Sequence, residues 1–311
     1  MEEKNDKETP SVPFEEIRIA IELLSKYIPT MLTVTLNPGR DRGLQLASLK
    51  LCWAVPDNPG SRIEAKQLMA NLSKTQIDRL GDRLRRGSPS DSDLRLLDEY
   101  RRSFGEAYEI VVRTVREQLQ LQPTGRPAKS TNSLIEKLRR ESVRLSQVQD
   151  IAGCRVVVAD VAEQEQVIVS LFAVFPGASV VDRRANPNYG YRAVHVIARI
   201  SGKLIEIQVR TLLQHSWAEF SEKCSDVVDP SIKYGGGPDV IRQALASIST
   251  GIASIEASEG EIAQAQAQDV NGKYQKSFQY LRERMLSMKK ALAGDLSKAI
   301  SWLESQKGQK R

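Results

Sequence analysis

Two runs rich in β-branched residues, AVHVIARI (193–200) and KLIEIQVRT (203–211), are separated only by Ser201 and Gly202. A two-residue connection joins antiparallel neighbours in a tight hairpin. With those two residues as the loop, Ile200 faces Lys203, Ile197 faces Glu206 and His195 faces Gln208. Side chains alternate across a strand, so Glu206, Gln208 and Arg210 share one face with His195 and Arg199 of the partner. Lys203, Ile205, Ile207 and Val209 then point to the core. A carboxylate, an amide, a guanidinium and an imidazole on one sheet face suit a functional site; they also suit a solvated face, and the residues alone leave both readings open.

Two further runs, CRVVVADV (154–161) and ASVVD (178–182), read as strands. Helical periodicity surrounds them: IRIAIELLSKYI (17–28), LSKTQIDRLGDRLRR (72–86), a long amphipathic stretch from the SPSDSD caps to about Leu121, a helix over 131–149, Leu212 to Cys224, and a helical tail to about residue 305. The stretch SEGEIAQAQAQD (258–269) reads as a weak helix or a hinge. Helices and strands mix without strict alternation, which predicts an α+β fold. The organisation expected is an N-terminal extension of unassigned function (1–73), a central domain (74–235) and a C-terminal helical region (236–311).

No apolar run approaches the roughly 18 residues of a membrane span, and the polar, acidic start MEEKNDKETPSVPFEE is unlike a secretory leader, so a cytoplasmic, membrane-free protein is expected. Cys52, Cys154 and Cys224 form no CxxC pair and are expected to be reduced, buried thiols. The net charge is +6, with arginines bunched in DRLRR, YRRSF and EKLRRESVR. An anionic partner such as nucleotide phosphate or RNA would suit that bias, as would a merely solvated basic surface.

Within the expected 131–149 helix, Ser133, Lys137, Arg140 and Arg144 fall on one narrow stripe and Leu134, Leu138 and Leu145 on its neighbour. Arg126 and Lys129 precede the helix start, so the array resembles a phosphate-binding surface aided by N-terminal backbone N–H groups. A solvated polar face remains the competing reading. The chain has no GxxxxGK[ST] and no GxGxxG after a strand, and its two histidines, His195 and His215, cannot build a His-rich metal site. His215 and Glu219, one helical turn apart, read as a packing or surface pair rather than a zinc site. A hard Mg²⁺ held by carboxylates and substrate phosphates stays open. The loop DRRANPNYGYRAVH (182–195) packs three arginines and two tyrosines around a Pro, two Asn and a Gly; a turn has use for the latter but none for the former.

Taken in order, KSTNSLIEKL, DIAGCRVV, NYGYRAVH and IEIQVRT resemble the synthetase domain of the RelA/SpoT family of (p)ppGpp alarmone synthetases, over about residues 74–235. SIKYGGG is similar to the tail of the family's small, single-domain members. The resemblance implies a nucleotidyltransferase-like domain, a mixed and mostly antiparallel sheet flanked by helices, with helical extensions at both ends. It implies transfer of pyrophosphate from ATP to the 3′-hydroxyl of GDP or GTP. Arg126, Lys129, Ser133, Lys137 and Arg140 match the ATP-binding motif. Asp150 matches a Mg²⁺-binding carboxylate, and Glu206 the second acidic residue, metal ligand or base. Arg183, Arg184, Tyr191, Arg192, His195, Gln208 and Arg210 match the acceptor side, with Tyr191 stacking on the base. The chain reads Arg126-Pro-Ala-Lys129 where the family usually has Arg-x-Lys, and Tyr189-Gly190-Tyr191 where it usually has Asn-Gly-Tyr. Too few histidines are present for the hydrolase half of long members. Small relatives form tetramers, so a homo-oligomer is implied; others act as toxins that pyrophosphorylate the tRNA 3′ end or make adenosine alarmones, and that alternative stays open. A catalytically dead RNA-binding module is a third reading, but it gives Asp150 and Glu206 no purpose.

Overall fold

The computed structural model describes residues 73–87 and 89–308. The expected helix at 17–28, Cys52 and the N-terminal leader reading lie outside these residues. Among the described residues three helices come first: α1 (Lys74–Arg86), α2 (Asp91–Arg102) and α3 (Gly105–Glu117). Serine caps start the first two, as the sequence suggests: Ser73 pairs with Gln76 and Ser90 with Asp93 in reciprocal capping boxes. A short strand β1 (Thr124–Arg126) follows, then α4 (Thr131–Arg140), β2 (Ala152–Val158), α5 (Val161–Val174), β3 (Ser179–Asp182), β4 (Val194–Ile200) and β5 (Lys203–Thr211). Three helices close the chain: α6 (Leu212–Val227), α7 (Asp239–Gln268) and α8 (Gln275–Gly308). None of the described helices is long and apolar enough to cross a membrane.

The five strands form one mixed sheet in the order β1-β2-β5-β4-β3, with only β2 and β5 parallel. The α+β expectation of a mostly antiparallel sheet flanked by helices is met. So is the hairpin: Ile200 pairs with Lys203, Ile197 with Glu206 and His195 with Gln208. Alternation then sorts the faces. Cys154, Val156, Val194, Val196, Ile205, Ile207 and Val209 enter one hydrophobic core with α1 to α5, while Glu206, Gln208 and His195 stay on the other face. A second core joins α6, α7 and α8 around Leu213, Trp217, Phe220, Ile248 and Leu296. The stretch 258–269 is no hinge: α7 runs through it to Gln268.

The helix expected over 131–149 ends at Arg140, where Glu141 turns extended. Arg144 is therefore not on the cationic stripe. Leu145 is fully buried in a short 3-10 turn against Gly81 of α1, and a Cβ on Gly81 would sit 2.7 Å from that of Leu145. Arg85 of α1 accepts the geometry by donating to the carbonyls of Leu138 (2.8 Å) and Val143. Carbonyls freed at a helix end need donors, and a neighbouring helix supplies them here, something local periodicity cannot report.

Candidate active site

The face of the sheet away from the first core carries two rows of residues. Gly153, Glu206 and Ile197 lie side by side on β2, β5 and β4, and Arg155, Gln208 and His195 form the next row. Gly153 is required by the close approach of β5: a Cβ there would lie 2.6 Å from the Glu206 carbonyl oxygen. The bare backbone leaves open space beside the Glu206 carboxylate, and a cavity of about 460 Å³ occupies it, walled by Arg126, Asp150, Arg155, Glu206, Gln208 and Arg210.

Five side chains close a hydrogen-bonded ring over this face. His195 Nδ1 lies 2.9 Å from Glu206 Oε1, and Gln208 Nε2 donates to Glu206 Oε2 at 2.7 Å. Arg210 Nη2 donates to Gln208 Oε1 (2.7 Å) and to the Tyr191 hydroxyl (2.8 Å). The hydroxyl lies 2.9 Å from His195 Nε2. The Tyr191 hydroxyl thus bridges Arg210 and His195 Nε2, and the other ring nitrogen, Nδ1, faces Glu206. Burial pushes the Glu206 carboxyl up, but the hydrogen bond and charge of His195, helped by Gln208, outweigh it and hold the group below the usual glutamate value.

Asp150 lies two residues before β2, with Lys129 Nζ 2.7 Å from one carboxylate oxygen and Lys137 Nζ 2.9 Å from the other. Burial alone would raise its pKa; the two ammonium groups reverse that and bring it down to about 2. Lys129 is placed by the loop that leads into α4, with its N–H on the Ile151 carbonyl, and Lys137 stands two turns along that helix. Both carboxylates are thus ionised at neutral pH.

Of the other residues singled out in the sequence, Arg126 lines the cavity from β1. Ser133 sits in the first turn of α4, its hydroxyl 2.7 Å from that of the Ser130 cap. Arg140 does not reach the cavity wall: its guanidinium stacks 3.7 Å from the Tyr234 ring centroid and pairs with Glu141. Arg183 is exposed at the end of β3. Arg184 is not brought to the site: Asp182 and Glu165, each 2.6 Å away, hold its charge against α5. Arg192 points to α7, with Nε on the Ser249 hydroxyl at 3.0 Å. The Tyr191 ring meets His195 edge-on and packs on the second core, so the solvent-facing tyrosine of the loop is Tyr189. Arg199, on the same face, is exposed and outside the cavity.

Arg155 was not singled out from the sequence, although it is the one charged residue in the alternating strand CRVVV and so must face the site side. Its Nε and that of Arg210 are buried without a hydrogen-bond partner. Burial, then the neighbouring charge of Arg210, lower the pKa of Arg155. Arg155 and Arg210 thus bring two guanidinium groups to the cavity wall, a surface suited to an anion. His215 lies 3.3 Å from Arg155 and 3.4 Å from Glu219, and burial lowers its pKa. It is a packing group on the rim, as its spacing suggests.

No covalent nucleophile stands out on this face. Cys154 and Cys224 are free and buried, as expected of them, and burial pushes each thiol up to about 12. Among the described residues no three His, Cys, Asp or Glu side chains converge on a metal site. Asp150 and Glu206 fit a different arrangement, in which one or two carboxylates share a magnesium ion with substrate phosphates.

Comparison with known proteins agrees with this geometry. A family model described as a region found in RelA / SpoT proteins matches residues 125–225, the span that runs from β1 into α6. The uncharacterized protein Rv1366 of Mycobacterium tuberculosis is 41% identical over 117 residues, 36% of this chain and 42% of that protein; the chain thus spans less than half the length of its mycobacterial relatives. The GTP pyrophosphokinase YjbM of Bacillus subtilis is 34% identical over 164 residues, 46% of this chain and 74% of YjbM. The crystal structure of small alarmone synthetase 1 from Bacillus subtilis is 28% identical and aligns over 58% of this chain and 100% of that one, with a TM-score of 0.43. With three quarters of YjbM matched and the motif-bearing strands inside the matched region, the chain belongs to the RelA/SpoT family.

Proposed function

We propose that the chain is a synthetase that moves pyrophosphate from ATP to the 3′-hydroxyl of GDP or GTP. The observation that carries this reading is the cavity beside Gly153, lined by the ionised Asp150 and Glu206 together with Arg126, Arg155 and Arg210, with Lys129 and Lys137 paired to Asp150. Such a site offers no covalent catalyst; it offers positioning and charge, which is what phosphoryl-type transfer needs. The acceptor 3′-oxygen attacks the β-phosphorus of ATP. A bond forms between them as the bond from that phosphorus to the α–β bridging oxygen breaks, and AMP leaves with the bridging oxygen. The hydroxyl proton passes to Glu206, which the His195 and Gln208 hydrogen bonds hold ionised and oriented. Lys129 and Lys137 neutralise the donor phosphates, and the guanidinium groups of Arg155 and Arg210 in the cavity wall meet substrate oxygens. A magnesium ion held by Asp150, Glu206 and the phosphates would add positive charge where the transferred group needs it. Lys129, Lys137 and Arg126 take the donor side. Arg183, unpaired with any carboxylate in the described structure, takes the acceptor phosphates in preference to Arg184.

Incubation with labelled ATP and GDP, GTP, ATP or bulk tRNA tests the proposal. Label is expected on GDP or GTP; efficient labelling of tRNA with none on guanine nucleotides would overturn it in favour of a tRNA-modifying relative. Two further outcomes follow from the same reading. Purified ppGpp is expected to release no pyrophosphate, with or without Mn²⁺, because His195 is committed to Glu206 and His215 to Arg155; measured release would disprove this. Tyr191→Ala is expected to raise the acceptor KM ~5-fold or more, and more than that of ATP, through loss of the hydroxyl that joins Arg210 to His195. Equal effects on both substrates would remove Tyr191 from the acceptor side.

A further inference from the structure

The loop that carries Tyr191 contains a tight turn with a strained residue at its tip. Asn188 and Tyr191 exchange both backbone hydrogen bonds, and the two residues between them have positive φ, +53° at Tyr189 and +89° at Gly190. This is the pattern of a type I′ turn, which favours Asn-Gly. A tyrosine in the left-handed region is strained, and such strain persists only where the surroundings over-determine it. The surroundings here are α6 and α7. Ser249, buried on α7, donates to the Gly190 carbonyl at 2.6 Å and accepts from Arg192 Nε at 3.0 Å. Trp217 of α6 closes on the bare Gly190, where a Cβ would come within 2.7 Å of the indole, and its own Nε1–H is anchored on the Leu245 carbonyl of α7. Arg192 completes the clasp by donating to the Arg184 carbonyl.

We infer that Ser249, on a helix beyond the 125–225 family match, is a positioning residue for the acceptor nucleotide. Its two hydrogen bonds lock the strained turn, and the turn places Tyr191 between Arg210 and His195. The inference rests on the reading of this loop as the acceptor site and assigns α7 a part in acceptor affinity. The donor side, built from β1, α4 and the start of β2, makes no use of Ser249.

The test is Ser249→Ala in the full chain, read in three ways. Removal of a hydroxyl that satisfies a buried carbonyl and a guanidinium is expected to raise the acceptor KM ~5- to 50-fold, with the ATP KM within about twofold. GDP affinity by calorimetry should weaken by the same factor, and amide exchange across 186–193 should accelerate while exchange in α4 does not. An unchanged acceptor KM, a matching rise in the ATP KM, or unchanged loop exchange would overturn the inference. If the wild-type chain binds GDP but transfers nothing, the proposed reaction fails while the calorimetry still decides the role of Ser249. A wild-type chain that neither binds nor labels a guanine nucleotide overturns both.

Discussion

Glu206→Gln is expected to lower kcat at least ~100-fold, the low end of what removal of a general base or metal-bound carboxylate costs, with the folded structure retained. The loss has two physical parts. The negative charge disappears from the point where a proton must land. In addition, the carboxylate accepts on both oxygens, from His195 Nδ1 and Gln208 Nε2, and an amide has only one acceptor oxygen. One of the two N–H groups must then face the new NH₂, so the ring through Tyr191 and Arg210 loses its closure. The check is steady-state kinetics beside a far-UV circular dichroism spectrum and a thermal melt. A variant that keeps more than about a tenth of wild-type activity while folded removes Glu206 from the chemistry.

Asp150→Asn is expected to be comparably inactive, and it also reports on stability. The substitution leaves Lys129 and Lys137 without their shared carboxylate, and two partly buried ammonium groups then face each other. In the wild-type chain free of metal and nucleotide, the folded-state pKa of Asp150 is depressed to about 2 from 3.8. A depressed carboxylate pKa contributes stability that is fully present above the unfolded value and lost as pH falls through the folded one. The window is therefore about pH 4 down to pH 2, and the depression from 3.8 to about 2 corresponds to ~2 kcal/mol at neutral pH. Urea midpoints of wild type and Asp150→Asn should differ at pH 7 and converge toward pH 2. Equal midpoints at pH 7, or a gap that persists at pH 2, would mean that the lysines do not hold this carboxylate in solution.

What could be read in the chain without its fold follows from locality. Ser201-Gly202 leaves two flanking strands one way to pair, and a period of two then assigns every side chain of the hairpin to a face. The shared surface of His195, Glu206, Gln208 and Arg210 was therefore determined before any tertiary contact formed. The caps at Ser73 and Ser90 are equally local, since each bonds within three residues. Arg155 was legible by the same alternation and was missed because its strand was read as a run of β-branched residues.

Other features depend on partners far along the chain. The end of α4 at Arg140 is decided by Leu145 burying against Gly81 and by Arg85 capping carbonyls more than fifty residues away, so a stripe drawn at 100° per residue carried Arg144 too far. The loop arginines look equivalent in sequence; only packing separates Arg183 from Arg184, neutralised on α5, and from Arg192, turned to Ser249. The pairing of Asp150 with Lys129 and Lys137 and the clasp on Gly190 likewise join groups that no local pattern relates. Hydrogen bonding along one hairpin fixes what faces what, because backbone geometry is periodic. Which charge is neutralised, which donor is orphaned and which strained turn is held depend on close packing between elements, and that is decided only when the sheet, α4 and α7 come together.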